Sequence, residues 1–158
     1  MQKITPMLWF DNQAEEAMNL YLSVFKNSKV LSVSRYGDAG PGPKGTVMTA
    51  AFELDGQKFT ALNAGPMFKF TEAISFVISC KTQEEVDYYW SKLTADGGQE
   101  SMCGWLKDKF GLSWQVVPDA LIELLQVKDP KKSQQVMQAM MKMKKIIIKD
   151  LQDAHDEK

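Results

Sequence analysis

The chain repeats itself, and that repeat restricts the fold more than any other feature. A shift of 69 residues lays Met7, Leu8 and Trp9 on Phe76, Val77 and Ile78, and Glu15, Glu16 and Tyr21 on Glu84, Glu85 and Trp90. A shift of 53 lays Asp55 on Asp108. The 16-residue difference between the shifts implies extra residues in the first copy before its hairpin, and the Gly/Pro-rich stretch from Gly37 to Gly45 largely accounts for them. The 158 residues therefore divide into two copies of one supersecondary unit and a tail. That length suffices for one domain with a real core and no disulfide or metal staple.

Each copy reads as β-α-β-β-β. Ile4 to Phe10 is an apolar run that suits a short strand. Asp11 or Asn12 is placed to cap a helix whose Ala14, Ala17, Met18, Tyr21, Leu22 and Phe25 form one apolar stripe. Val30 to Tyr36 alternates as a half-buried strand does, and Thr46 to Leu54 and Lys58 to Asn63 form a hairpin about Asp55-Gly56. In the second copy Ala73 to Cys80 is the strand, and Thr82-Gln-Glu-Glu85 is a capping box. Glu100 to Lys107 and Leu112 to Val117 make its hairpin. Beyond Pro118, Asp119 to Leu125 reads as a short helix, and Asp129-Pro130 as an N-cap with proline at the first helical position. A long helix is predicted from Ser133 to about Ala154, with Val136, Met140, Met143, Ile147 and Leu151 on one face, packing on its own domain or on a second subunit.

Composition excludes several functions. The single histidine, His155, sits in a polar tail, so Ser-His-Asp or Cys-His catalysis and His-rich metal sites lack their central residue. A net charge of −1 gives no bulk field for nucleic acid. No apolar run approaches membrane-span length, so the chain is not expected in a membrane. The N-terminus lacks a signal-peptide pattern and there are two cysteines, Cys80 and Cys103, which points to a reduced cytoplasmic protein.

The segments ITPMLWF, AFELDGQKFTALNAGP, FKFTEAISFVISC, QEEVDYYWSKL, CGWLKDKFGLSWQVVP and VMQAMMKMKKIIIKDL together resemble the PhnB-like family. That family's inherited label is 3-demethylubiquinone-9 3-methyltransferase, and it belongs to the vicinal oxygen chelate superfamily with glyoxalase I, bleomycin resistance proteins and extradiol dioxygenases. The resemblance runs from about Ile4 to Ala154. It implies an α+β fold in which two βαβββ modules form an incomplete barrel around a small-molecule cavity, usually as a homodimer. The modules are expected at about 1–70 and 71–118 of a single domain, with a C-terminal helical extension at about 119–158.

Metal-binding members of that superfamily carry a D-x-x-G-x-x-x-E pattern whose glutamate is a ligand. Asp108, Gly111 and Gln115 occupy those places, so an amide stands where the carboxylate belongs. Since a divalent cation needs several anionic or imidazole ligands to offset its dehydration, no bound metal and no other cofactor is expected. Glu72 and Glu53 are the remaining carboxylates for a metal site. The methyltransferase label finds no Gly-rich strand-to-helix turn to hold S-adenosylmethionine.

The candidate ligand-binding residues are Trp9, Asn63, Cys103, Trp105, Ser113, Trp114 and Gln115. Tryptophans suit aromatic cavity walls, and Ser113 and Gln115 share a strand face from which a hydroxyl and an amide can orient a ligand. Each has a structural alternative: core packing for the tryptophans, turn chemistry for Asn63, a small buried hydrophobe for Cys103. The expectation is a metal-free homodimer that binds a small molecule. Two alternatives stand beside it: a glyoxalase-like or transferase enzyme using a weakly held metal or Cys103 as nucleophile, and a protein-docking module using the C-terminal helix.

Overall fold

A computed structural model describes residues 1–158 and divides them into two compact units, Met1–Phe70 and Thr71–Lys158. The first holds β1 (Met7–Phe10), α1 (Ala14–Val24), β2 (Ser28–Arg35), β3 (Val47–Leu54) and β4 (Gln57–Asn63). Its sheet runs β1-β4-β3-β2, with β1 parallel to β4 and the other pairs antiparallel. The second unit repeats this with β5 (Ser75–Cys80), α2 (Gln83–Thr94), β6 (Gln99–Glu100), β7 (Trp105–Lys107) and β8 (Ser113–Pro118), in the order β5-β8-β7-β6. Three helices complete it: α3 (Asp119–Leu125), α4 (Pro130–Met140) and α5 (Ile148–Asp156).

Strand alternation decides what each sheet buries. In the first unit Leu8, Phe10, Ala50, Phe52, Phe59 and Ala61 are buried on one face, which meets the buried Ala17, Met18 and Tyr21 of α1. In the second, Ile78, Leu106, Trp114 and Val116 are buried, and Val86, Trp90 and Leu93 come from α2. The helices correspond at a shift of 69, pairing Ala17 with Val86 and Tyr21 with Trp90. The first strands correspond at 70, since buried Leu8 and Phe10 match buried Ile78 and Cys80. One residue matters here, because a slip of one carries a strand residue to the opposite face.

Three expected elements differ from those found. β2 is an edge strand that leaves Val30, Leu31 and Val33 exposed instead of half-buried, and irregularities between Val30 and Ser32 and between Ser34 and Arg35 break its alternation. The strand expected from Glu100 to Lys107 is interrupted at Ser101–Gly104, where Cys103 and Gly104 take left-handed φ values of 60° and 83°. The long C-terminal helix is two, with a break over residues 141–147. One cause explains the last two differences. Cys103 N donates to Met143 O at 2.7 Å and Gly104 N to Lys144 O at 2.8 Å, so carbonyls that a helix would use internally serve the interrupted strand. Gln83 adds a clamp, donating to Ile146 O at 3.0 Å and accepting from Ile148 N at 2.8 Å.

The tail has its own core. Leu121, Val136, Ile146 and Leu151 are buried together. The apolar face read from the sequence thus packs within the second unit, with Ile146 in place of Ile147 at its centre. The Asp129 cap is present, accepting from Lys131 N at 3.0 Å. No helix is long and apolar enough to cross a membrane.

Candidate functional site

A cavity lies in each unit. That of the second, about 520 Å³, opens on the face of its sheet turned away from α2. Register builds this face: Trp105 lies opposite Gln115, and Lys107 opposite Ser113, which pairs in turn with Ser75. Cys103, Trp105, Lys107 and Ser113 line the cavity, with Glu72 from the segment before β5 and Glu100 from β6.

Three of the residues singled out in the sequence therefore meet here: Cys103, Trp105 and Ser113. Gln115 shares their sheet face, but its Nε2 donates to Ser75 Oγ at 2.9 Å. Trp114 points the other way into the core, where its ring meets Phe76 and its Nε1 donates to Asp108 Oδ2 at 3.0 Å. Trp9 and Asn63 belong to the first unit. Trp9 Nε1 donates to Gly65 O at 2.9 Å and its ring meets Phe68 edge-on. Asn63 performs the capping expected of Asp11 or Asn12, since its Oδ1 accepts from Ala14 N at 2.8 Å while its Nδ2 donates to Val47 O at 3.1 Å.

The sequence reading left out the ion pair between Lys107 and Glu72, which gives the second cavity its polarity. Alternation signalled it, because Lys107 stands two residues from Trp105 on the same strand face. The Lys107 ammonium, by its hydrogen bond, holds the Glu72 carboxyl below the usual carboxylate range. Glu100 turns its carboxylate towards Trp90 Nε1, 2.8 Å away. Ser113 is different in kind: it is fully buried and its hydroxyl has no hydrogen-bond partner. Buried hydroxyls nearly always find one, and isolation costs about 1–3 kcal/mol.

The two cysteines are distinct. Burial pushes the Cys80 thiol up to about 12, with Glu85 and Asp119 adding to it, so this group stays protonated and packs as a hydrophobe. Cys103 is half-buried and stands on the cavity wall.

The cavity of the first unit, about 510 Å³, has Asp11, Glu15, Arg35 and Tyr36 on its wall together with the Gly/Pro loop. That loop is seated on the molecule. A Cβ at Gly40 or Gly42 would collide with the Tyr36 ring, whose hydroxyl donates to Asn63 O.

A family described as 3-demethylubiquinone-9 3-methyltransferase matches residues 2–117. This chain belongs to that family. A PhnB protein from Bacillus cereus, carrying the same description, is 43% identical with a TM-score of 0.68, over 74% of this chain and 99% of its own. Protein PA1353 from Pseudomonas aeruginosa is 21% identical at a TM-score of 0.62, over 75% of this chain and 98% of its own. The fosfomycin resistance protein FosX from Listeria monocytogenes, solved with Mn(II) and sulfate, shares the fold at 13% identity and a TM-score of 0.52, over 75% of this chain and 91% of its own. No curated protein matches significantly. The fold is α+β, two four-stranded mixed sheets with their helices, and is shared with FosX. The family match stops before the C-terminal helices, so the tail that holds Cys103 and Gly104 lies beyond it.

A superfamily-type divalent ion does not suit the residues present. Position 115 carries an amide committed to Ser75, Glu72 is bound to an ammonium, and no three His, Cys, Asp or Glu side chains gather as a metal-ion group.

Proposed function

We propose that this PhnB-like chain is a homodimeric small-molecule-binding protein that uses no divalent metal, with its ligand on the open face of the second sheet. One observation carries the reading: the buried, unpartnered Ser113 hydroxyl in a cavity that Trp105 and Cys103 also line. An apolar wall with a few unspent polar groups is the usual character of a ligand site. Dimerisation is supported by the exposed Val30, Leu31 and Val33 of edge strand β2, since unpaired apolar edges are normally covered. The methyltransferase description gains no support from the β1–α1 and β5–α2 connections, Asp11–Gln13 and Lys81–Thr82, which contain no glycine to cradle a nucleotide-like cofactor.

Protein purified without added metal or chelator should contain far less than one divalent ion per subunit, before and after exposure to Zn, Mn, Ni and Fe(II). Light scattering should give twice the 17.8 kDa chain mass. Near-stoichiometric metal overturns the metal-free reading, and a monomer overturns the dimer. The anionic dye 1-anilinonaphthalene-8-sulfonate should bind and lose affinity when Trp105 becomes alanine.

A catalytic reading rests on Cys103, held left-handed on the cavity wall by Met143 O. Turnover lost in Cys103→Ser with ligand binding intact would favour it.

A further inference from the structure

We propose that the Lys107–Ser113 corner of the second cavity is a subsite for the oxyanion of a small ligand, a carboxylate or phosphonate, with the ligand's apolar body against Trp105. This rests on the small-molecule reading above and names the chemistry of that ligand.

Lys107 and Ser113 are direct cross-strand partners, so an ammonium and a hydroxyl rise from one row of the sheet. The hydroxyl is fully buried and unpartnered, and an acceptor entering the cavity would satisfy it. The ammonium is paired with Glu72, whose side chain is 61% exposed, in the segment before β5. An exposed pair of this kind contributes little to stability, so Glu72 serves as a counter-ion that a ligand oxyanion can displace. Glu100, the other carboxylate on this wall, has its Oε1 accepting from Trp90 Nε1. Where the superfamily pattern places a metal-binding carboxylate, this chain has Gln115 tied to Ser75, and the Lys107 ammonium sits on the neighbouring strand. The cation needed to hold an oxyanion is thus a side chain. Trp105, two residues from Lys107 on that strand face, supplies a flat apolar surface beside it.

Four matched probes test this on the full-length chain: benzoate, phenylphosphonate, benzyl alcohol and benzylamine, titrated at constant ionic strength. The readout is the indole N–H resonance of Trp105, assigned with Trp105→Phe. Benzoate or phenylphosphonate should move it, and the stronger of the two identifies the oxyanion. Lys107→Met should weaken that probe about tenfold, the range of a charge-assisted hydrogen bond, and Ser113→Ala by a few-fold. Glu72→Gln should tighten it, because the competitor is gone. Glu72 is exposed, so this variant keeps the test informative even where Lys107→Met or Ser113→Ala folds poorly. Binding of benzylamine or benzyl alcohol as strong as that of the anions overturns the oxyanion assignment and leaves the cavity reading standing. If none of the four moves Trp105, both fail. Weaker anion binding in Glu72→Gln, or unchanged binding in well-folded Lys107→Met, also overturns it.

Discussion

The first unit turns its last hairpin with two exposed residues, Asp55 and Gly56, at φ 47° and 82°. The second builds the equivalent turn around a buried carboxylate. Asp108 is 2% exposed, accepts from Phe110 N, Leu112 N and Trp114 Nε1, and so ties the turn to the core. The same contrast runs through both units. In the first, Asn63 and Tyr36 spend their polar groups on a helix N-terminus and a backbone carbonyl. In the second, α2 is capped locally by Thr82, leaving the open sheet face with an unspent hydroxyl at Ser113. One topology thus supports a unit whose Asn63 and Tyr36 serve its own backbone and a unit with a buried hydroxyl left unpaired.

The largest break in this comparison should come from the hairpins. Asp108→Ala leaves three donors around a buried site without their acceptor, and we expect a loss of about 3 kcal/mol or more. Asp55→Ala should cost about 1 kcal/mol, since it only asks alanine to adopt a left-handed conformation. Urea denaturation of both variants measures the difference. Equal losses would show that the buried carboxylate adds nothing beyond turn geometry.

Next come two glycines of positive φ, Gly104 in the interrupted strand and Gly56 in the first hairpin turn. A Cβ on Gly104 would lie 2.9 Å from Val116 O and 3.1 Å from Ile146 Cγ1, at a φ of 83°. Gly56 has a similar φ and open space around it. Gly104→Ala should therefore cost roughly 2–3 kcal/mol by adding a clash to backbone strain, against about 1 for Gly56→Ala. Gly104→Ala should also release the tail, seen as faster amide exchange at Cys103 and Ile148. Exchange unchanged there would separate the tail from the cavity wall.

What the sequence disclosed follows from range. The two βαβββ units, the Asp55-Gly56 hairpin, the Thr82 cap and the Asp129 cap all depend on residues a few positions apart, and all are present, with Glu85 of the capping box accepting from Lys81 N in place of Thr82 N. The shared face of Ser113 and Gln115 followed from strand period alone. The broken C-terminal helix did not, because its cause is a set of hydrogen bonds to residues about forty and sixty positions away, Cys103, Gly104 and Gln83. Asn63 illustrates the same limit. Its neighbours spell a turn, but its partner is the first amide of α1, 49 residues earlier.

That cap is the third comparison. Asn63→Ala removes an N-terminal acceptor from α1 and a donor from Val47 O, and Thr82→Ala removes the acceptor that receives Glu85 N at 3.2 Å. Losses of about 1.5 and 1 kcal/mol are expected in urea denaturation. Thr82→Ala costing more would mean that the long-range cap is replaced by Asp11 or Asn12.

The smallest effect concerns charge. In the second unit Lys145 lies 2.8 Å from Asp87, and this hydrogen bond, with one from Gln83, holds the Asp87 carboxyl below its ordinary 3.8. In the first unit Lys29 and Glu53 stand 3.8 Å apart. A carboxyl depressed in the folded state contributes stability that is complete above its unfolded value and is lost as pH falls through its folded value. Asp87→Asn should therefore lower the urea midpoint slightly and by a constant amount from pH 7 to pH 5. The gap to the parent chain should close below about pH 4, as Asp87 itself takes up a proton. Glu53→Gln should move the midpoint little at pH 7, as expected of a pair 3.8 Å apart whose lysine is exposed. The Lys145–Asp87 bond also anchors the chain just after Lys144, whose carbonyl holds Gly104. If Asp87→Asn leaves stability unchanged at pH 7, the ion pair follows the position of the tail and does not help to set it. The backbone bonds to Cys103 and Gly104 and the Gln83 clamp would then be what fixes the wall of the second cavity.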